Sequence, residues 1–573
     1  MLQRLMQRHH VDETLQAGNG LQPVLQKHWH HDSVLLMVGA VGAITRLISP
    51  YLQGKEKDPA VLVLDPKGQW VIPLLGGHSS GAEQLARELA ADLGGQAVLT
   101  GACASDRRLA LDSFGEGWGW RRGGSPDAWR TLMQAHARGH AVRVHQSHGA
   151  TDWQRISAGQ GLVEGSPDSA ELRIGAELQA PCRWHPASLW LGVGCERNTS
   201  LTLVERAIDQ ALAEAGLAVE AVAGLASADR KADEAALLQV RDSRDWPFRT
   251  YSAERLDAID VPTPSEVVRS ELGTASVAEA AALLAAGDDA RLRLKKRISK
   301  AQANEHGAVT VAIAEAAVPF APQRGELHLI GSGPGDPALL SGDARRALAR
   351  CCVWVGYGLY LDLLEPLRRS DQVRCDGQLT REWDRCEQAL GLARQGAKVA
   401  LISSGDSGIY GMAGLALELW LQQPADARPS FEVHPGISAL QLAAAKAGAP
   451  LMHDFCTISL SDRLTPWPVI EQRLQAAAAG DFVVALYNPR SRDRNWQLER
   501  ARTLLREQRA GTTPVVLARQ LGRAEEVVEL TSLEALEIES VDMLTLVLIG
   551  NSSSRVSDGR MVTPRGYPGA SLS

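Results

Sequence analysis

ELHLIGSGPGDPALLSGDARRAL, residues 326–348, places a short apolar run (Leu327–Ile330) ahead of Gly331, Gly333 and Gly335, and a helix-like segment follows. Strand, glycine turn and helix in that order form the layout of a nucleotide-binding turn. No Lys-Ser or Lys-Thr pair is present to hold a triphosphate, and the Gly-x-Gly-x-Gly spacing is not the dinucleotide fingerprint. Something approaches this backbone closely, and its chemistry is not that of a simple phosphate.

Apolar runs of strand length recur between amphipathic segments along the chain: SVLLMVG, AVLVLD, LWLGVG, AVTVAIA, KVALIS, DFVVALY, PVVLAR and LTLVLIG. This alternation predicts an α/β, multidomain protein with largely parallel sheets. At 573 residues the chain exceeds one core, and about three or four domains are expected. The clearest seam is EAAVPFAPQRG (315–325), where two prolines stand between one strand and the next. Weaker seams lie near APCRWHPAS (180–188) and after SFGEGWGWRRGGSPD (113–127).

A hydrophobic fraction of 45% with 22% charged residues is that of a globular protein, and the net charge of −7 speaks against a general nucleic-acid binder. The eight cysteines contain no C-x-x-C pair, so reduced thiols are expected rather than a zinc site or disulfide frame. No run approaches the roughly 20 apolar residues of a membrane span, and the start has no signal-like apolar core. A soluble, cytoplasmic protein is expected. His28, His30 and His31 cluster in QKHWHH, but no carboxylate or cysteine completes a metal site, and a solvated tail is the preferred reading.

KVALISSGDSGIYGMAGLALEL (398–419) repeats the strand, glycine turn and helix. Gly405, Gly408 and Gly411 let a loop lie flat against a ligand with its backbone exposed, and Asp406 supplies a fixed acceptor. The loop lacks Lys and Arg, so a zwitterionic or cationic ligand such as S-adenosylmethionine (SAM) suits it better than an anion. Either loop alone reads equally well as an ordinary tight turn. The two together favour a ligand.

GSGPGDPALLS, SSGDSGIYGM, PGISA, LYNPRS and TPRGY resemble the tetrapyrrole methylase family, SAM-dependent enzymes that methylate precorrins in cobalamin synthesis. Within it, GAPLMHDFCTISLSDRLTPW and YNPRSRDRNWQLERA resemble the precorrin-3B C17-methyltransferases, and the likeness covers residues 325–573. The resemblance implies a bilobal α/β fold with SAM in the cleft between lobes. It implies that Pro334 and Gly335 lie in a loop facing the tetrapyrrole. Ser404, Gly405 and Asp406, with Gly408, Ile409, Tyr410, Gly411 and Met412, would hold the methionine and ribose of SAM. Ile437, Ser438, Tyr487 and Asn488 would complete the pocket.

A polycarboxylate macrocycle needs positive charge. Arg490, Arg492 and Arg494 beside Tyr487, and Arg555, Arg560 and Arg565 near the C-terminus, are the candidates, since arginine suits bidentate carboxylate binding. A solvated helix face is an equal reading for Arg494. The ring contraction implied by the resemblance needs proton traffic, with His453, Asp454 and Asp462 as candidate participants. A buried, satisfied His453 is the alternative.

In the N-terminal half, VIPLLGGHSSGAEQLARELAADLGGQAVLT (71–100) and LWLGVGCERNTSLTLVERAIDQALAEAGL (189–217) each set a glycine turn before a helix, capped by Ser79 or Ser80 and by Thr199 or Ser200. With ASADRKADEAAL and TPSEVVRSELGTASVAEAAAL they resemble the cobalt-precorrin-5A hydrolases. The resemblance implies an extension over 1–32, a hydrolase-like N-terminal domain over 33–112, a middle region over 113–187, a C-terminal domain over 188–316, and the methylase over 325–573. His78 would lie at the substrate end of its turn. Glu83 replaces the Asn usual in that family, so a group that donates has become one that only accepts.

The reading is a fused cobalamin-synthesis enzyme: a methyltransferase acting on precorrin-3B or cobalt-precorrin-3 with ring contraction, joined to a hydrolase-like module for the cobalt-precorrin-5A lactone or to a degenerate relative of one. A non-catalytic tetrapyrrole carrier in the N-terminal half, or a different methyl acceptor, are the alternatives. A homodimer and contacts with other cobalamin-synthesis enzymes stay open, with no nucleic-acid or membrane partner expected.

Overall fold

The computed structural model describes residues 20–30, 33–54, 57–76, 82–100, 109–156, 161–378, 381–491 and 494–568, with Val11 and Thr14. Among these residues six sheets form, each from the β-branched and leucine-rich runs of the sequence.

Five strands make the sheet that carries both glycine loops. Lys398–Ser403 lies at its centre, between Val353–Tyr357 and Glu326–Gly331, with Val373–Gly377 and Ser430–His434 at the edges. All pairs are parallel. The run Val399–Ser403 is buried on both faces, as expected of a central parallel strand. Gly331 pairs in register with Ser403, so the loops that follow them leave the sheet side by side at its carboxyl edge. That edge is where open parallel sheets bind ligands.

The second lobe holds Phe455–Ser459, Val483–Tyr487, Thr545–Ile549, Pro514–Arg519 and Val527–Ser532 in that order. Only its first pair is parallel. The expectation of largely parallel sheets therefore holds for the first lobe and not for this one. Short connections between Pro514–Arg519 and Val527–Ser532 leave no length for a crossover helix, which forces an antiparallel return.

The seam at 315–325 is not a free linker. Phe320, Ala321 and Pro322 are buried, and the Ala321 amide donates to the Arg394 carbonyl at 2.9 Å. One apolar cluster joins Trp118, Trp120, Trp153 and Trp184 to Val353, Cys375, Leu390 and Val399 across it. The Cys352 thiol donates to the Gly117 carbonyl at 2.9 Å, and Gly119 lies so close to Gly396 that a Cβ would meet its oxygen at 2.4 Å. The glycine- and tryptophan-rich stretch 113–127, just before a seam expected from the sequence, thus packs against the first lobe.

Candidate active site

The first glycine loop holds another backbone. Gly333 and Gly405 exchange both amide hydrogen bonds, at 3.1 and 2.8 Å. Gly333 has φ +76° and Gly405 φ +66°, a region open to glycine at little cost. Gly436 joins them: a Cβ on it would stand 2.2 Å from the Gly405 oxygen and 2.6 Å from that of Gly331. Gly335 makes a similar close approach to the other lobe, 2.7 Å from the Gly522 oxygen for an added Cβ. It is buried and is not among the residues that line the cleft between the lobes.

Asp406 fastens this junction. Its Oδ1 accepts from the Gly408 amide at 2.8 Å and its Oδ2 from the Gly436 amide at 3.0 Å. Ser438 caps the helix Ala439–Ala447, accepting from Gln441 N at 3.2 Å, while Gln441 returns the bond to the Ser438 amide. From the second lobe, Tyr487 Oη accepts from the Leu440 amide at 3.2 Å, and burial pushes its hydroxyl pKa up, so it stays neutral. Tyr410, at φ +53°, crosses the opposite way and donates to the Thr457 carbonyl at 3.0 Å, its ring 5.2 Å from that of Tyr487. Asn488, at φ +51°, donates to Ser459 Oγ at 3.1 Å.

These groups enclose a cleft between the lobes, about 850 Å³ with its open mouth included. Pro334, Ser404, Gly405, Asp406, Ile409, Tyr410, Ser438, Tyr487 and Asn488 all line it. Gly408, Gly411 and Ile437 do not. Met412 is turned into the first lobe's core, where its amide meets Ser403 Oγ at 3.3 Å.

The residues picked for proton transfer stand apart. His453 and Asp454 are exposed and do not line the cleft, so His453 is not the buried histidine offered as the alternative. Asp462 accepts from Gln497 Nε2 at 3.0 Å. Arg490 is ion-paired with Glu539 and also donates to its carbonyl at 3.0 Å. Arg494 is buried rather than on a solvated face, its Nη1 3.4 Å from Ser461 Oγ. Arg555, Arg560 and Arg565 are exposed on and after a hairpin outside the cleft. Arg492 and His78 lie outside the described residues, as do Ser79, Ser80 and His31. Glu83 is buried, 3.8 Å from Arg87 Nη2. Ser200 takes the cap position before Leu201–Ala215, but its hydroxyl serves the His306 backbone instead of the helix.

Sequence reasoning missed Tyr360, Ala439, Gln520, Leu521, Arg523 and the segment Met543–Leu546, which form the rest of the wall. Gln520 and Gly522 both have positive φ, and a glycine just past the strand PVVLAR was the available signal. Arg523 is the sole Lys or Arg among the lining residues, and Asp406 the sole acid. One carboxylate, hydroxyls, backbone groups and the apolar sides of Ile409, Leu521, Leu544 and Leu546 suit a ligand with an apolar ring and a zwitterionic tail. SAM has that character, and these residues fit it.

The family described as Tetrapyrrole (Corrin/Porphyrin) Methylases matches residues 326–537. Those described as Cobalamin synthesis G C-terminus and Cobalamin synthesis G N-terminal match 189–314 and 23–104. A probable cobalt-factor III C(17)-methyltransferase of Salmonella typhimurium is 49% identical over 241 residues, 42% of this chain and 99% of the relative. A precorrin-3B C(17)-methyltransferase of Sinorhizobium is 40% identical over 253 residues, 43% of this chain and 99% of the relative. The crystal structure of the methyltransferase CobJ aligns with a TM-score of 0.40 at 36% identity, over 42% of this chain and all of that one.

The protein is a methyltransferase whose methyl donor is SAM. The chain belongs to the tetrapyrrole methylases. Among the described residues no helix is long and apolar enough to cross a membrane.

Proposed function

We propose that residues 325–573 methylate C17 of precorrin-3B, or of its cobalt-loaded counterpart, with contraction of the macrocycle. The observation that carries this is the 49% identity over nearly the full length of the cobalt-factor III relative. SAM supplies an electrophilic methyl group on a sulfonium, whose leaving group is neutral. Positioning and exclusion of water therefore account for most of what the protein adds. Ser404, Gly405 and Asp406 hold the amino-acid end, and Ser438, Tyr487 and Asn488 close the far side. Asp406 orients the loop through the Gly408 and Gly436 amides, and Arg523 meets a macrocycle carboxylate at the cleft wall.

The division at 33–112, 113–187 and 188–316 is part of the same proposal, supported by the two Cobalamin synthesis G matches. In it the N-terminal half opens the lactone of a later intermediate. Glu83 is buried, with Arg87 Nη2 3.8 Å from its carboxylate. That pairing is what favours the second reading, a carrier that passes tetrapyrroles to the cleft. Incubation with SAM and metal-free or cobalt-loaded precorrin-3B, followed by product masses, tests the first activity. Release of acetaldehyde from authentic cobalt-precorrin-5A lactone supports the hydrolase, and its absence supports the carrier.

A further inference from the structure

A buried side-chain cluster lies at the edge of the first lobe's sheet, under the helix Gly342–Arg350. The parallel strands Glu326–Gly331 and Ser430–His434 place Glu326, His328, Glu432 and His434 on one face, with His328 opposite Glu432 in register and Ile330 opposite His434. The helix Gly342–Arg350 covers that face and contributes Asp343. Both imidazoles are buried, at 4% and 5% exposure.

The hydrogen-bond pattern leaves a specific deficit. His328 Nε2 is 3.0 Å from Glu326 Oε2, and His434 Nδ1 is 2.6 Å from Asp343 Oδ2. A carboxylate only accepts, so each imidazole spends its N–H on its own carboxylate. The remaining nitrogens, His328 Nδ1 and His434 Nε2, face each other 2.9 Å apart; with both rings neutral each presents a lone pair there, so either a proton or a cation stands between them. Glu432 Oε2 stands 3.7 Å from both. Among the described residues Glu432 meets no Lys or Arg, whereas Glu326 has Arg350 and Asp343 has Arg346. Two facing lone pairs and a third anionic donor are complementary to a cation.

We infer that His328, His434 and Glu432 form a divalent-metal site of the zinc class, with Glu326 and Asp343 orienting the two imidazoles from behind. Two neutral imidazoles and one carboxylate are zinc ligands, and a carboxylate behind each ring is the usual support for such a site. The ligand atoms already lie within 4.8 Å of one another. Glu432 is 61% exposed, so the fourth position opens towards solvent. The ion fastens the edge strand to its neighbour. Its consequence reaches the cleft, because Gly436, two residues beyond His434, carries the amide that Asp406 holds.

The test uses the full chain stripped with chelator and titrated with Zn²⁺ alone, beside the Glu432→Ala, His434→Gln and Asp343→Asn variants. The readout is the difference from wild type, which removes any zinc taken up elsewhere on the chain. Wild type is expected to bind one equivalent more than His434→Gln. Glu432→Ala, at an exposed position, weakens that equivalent at least ~10-fold, and Asp343→Asn by about 10–100-fold. Zinc raises the melting temperature of wild type and not of Glu432→Ala. Anomalous density at the zinc edge between His328 and His434 completes the positive result. Equal zinc binding by wild type and Glu432→Ala, or no anomalous peak between the rings, overturns the site and leaves a proton shared by the two imidazoles.

Discussion

Asp406 Oδ2 accepts a hydrogen bond from the Gly436 amide at 3.0 Å, joining the loop after one strand to the loop after another. The same carboxylate takes the Gly408 amide through its other oxygen. Asp406 is thus both the acid of the cleft and the clasp of its floor. Asp406→Ala leaves two amides without their acceptor and is expected to cost about 1–3 kcal/mol of stability. SAM affinity should fall at least ~10-fold in the same variant. Calorimetry with SAM and denaturant unfolding check the two effects; loss of affinity with unchanged stability would show that these two hydrogen bonds add nothing to the fold.

Gly436 has no room for a side chain, since the Gly405 and Gly331 oxygens occupy the space. Gly436→Ala should therefore pry the two loops apart and abolish measurable SAM binding. Gly414, in the helix Ala413–Gln422, meets nothing within 4 Å and serves as the control. Gly414→Ala should bind SAM as wild type does and be more stable by up to about 1 kcal/mol. Equal SAM affinity in the two variants would refute the close-approach argument.

Arg523 and Arg490 separate ligand binding from structure. Arg523→Ala should raise the KM for the tetrapyrrole by about ten-fold or more while leaving the SAM Kd alone. Arg490→Ala removes an ion pair with an exposed partner, Glu539, and its effect should be limited to stability, within roughly 1 kcal/mol. Steady-state kinetics with varied tetrapyrrole decide between them. A KM effect confined to Arg490→Ala would return the substrate role to the arginine that the sequence suggested.

Cys352 reports on the seam. Burial pushes its thiol up to about 12, so at pH 8 the nucleophilic thiolate is scarce and alkylation of the full chain should be slow at this residue. Residues 325–573 expressed alone lose Gly117 and the tryptophan cluster that cover it. That fragment should still bind SAM, melt below the full chain and show fast alkylation at Cys352 by mass spectrometry. A fragment with the full chain's melting temperature and an unreactive Cys352 would mean that the shared cluster contributes nothing.

The strand-to-turn-to-helix segments were legible because a buried parallel strand is largely apolar on both faces: VALI is so throughout, and LHLI departs from it only at His328. Nine of the cofactor positions expected from the motifs reach the cleft, because short strings such as SSGDSGIY and YNP stay contiguous in space. Gly335 and Met412, inside equally good strings, do not. Local pattern names the loop but not the direction in which each residue of it faces.

What the sequence alone determined about this protein is its α/β character, its loops and the family its strings resemble. These depend on contacts between near neighbours or on short runs read as they stand. The partner of each glycine, the pairing of Arg490 with Glu539, the place of Arg523 in the cleft and the meeting of His328 with His434 were decided only by the tertiary structure. Each joins segments far apart in the chain, and a one-dimensional pattern carries no distance between them. The seam shows the same limit: prolines and glycines there were read as a domain boundary, but they are also the residues small or rigid enough to let two backbones touch.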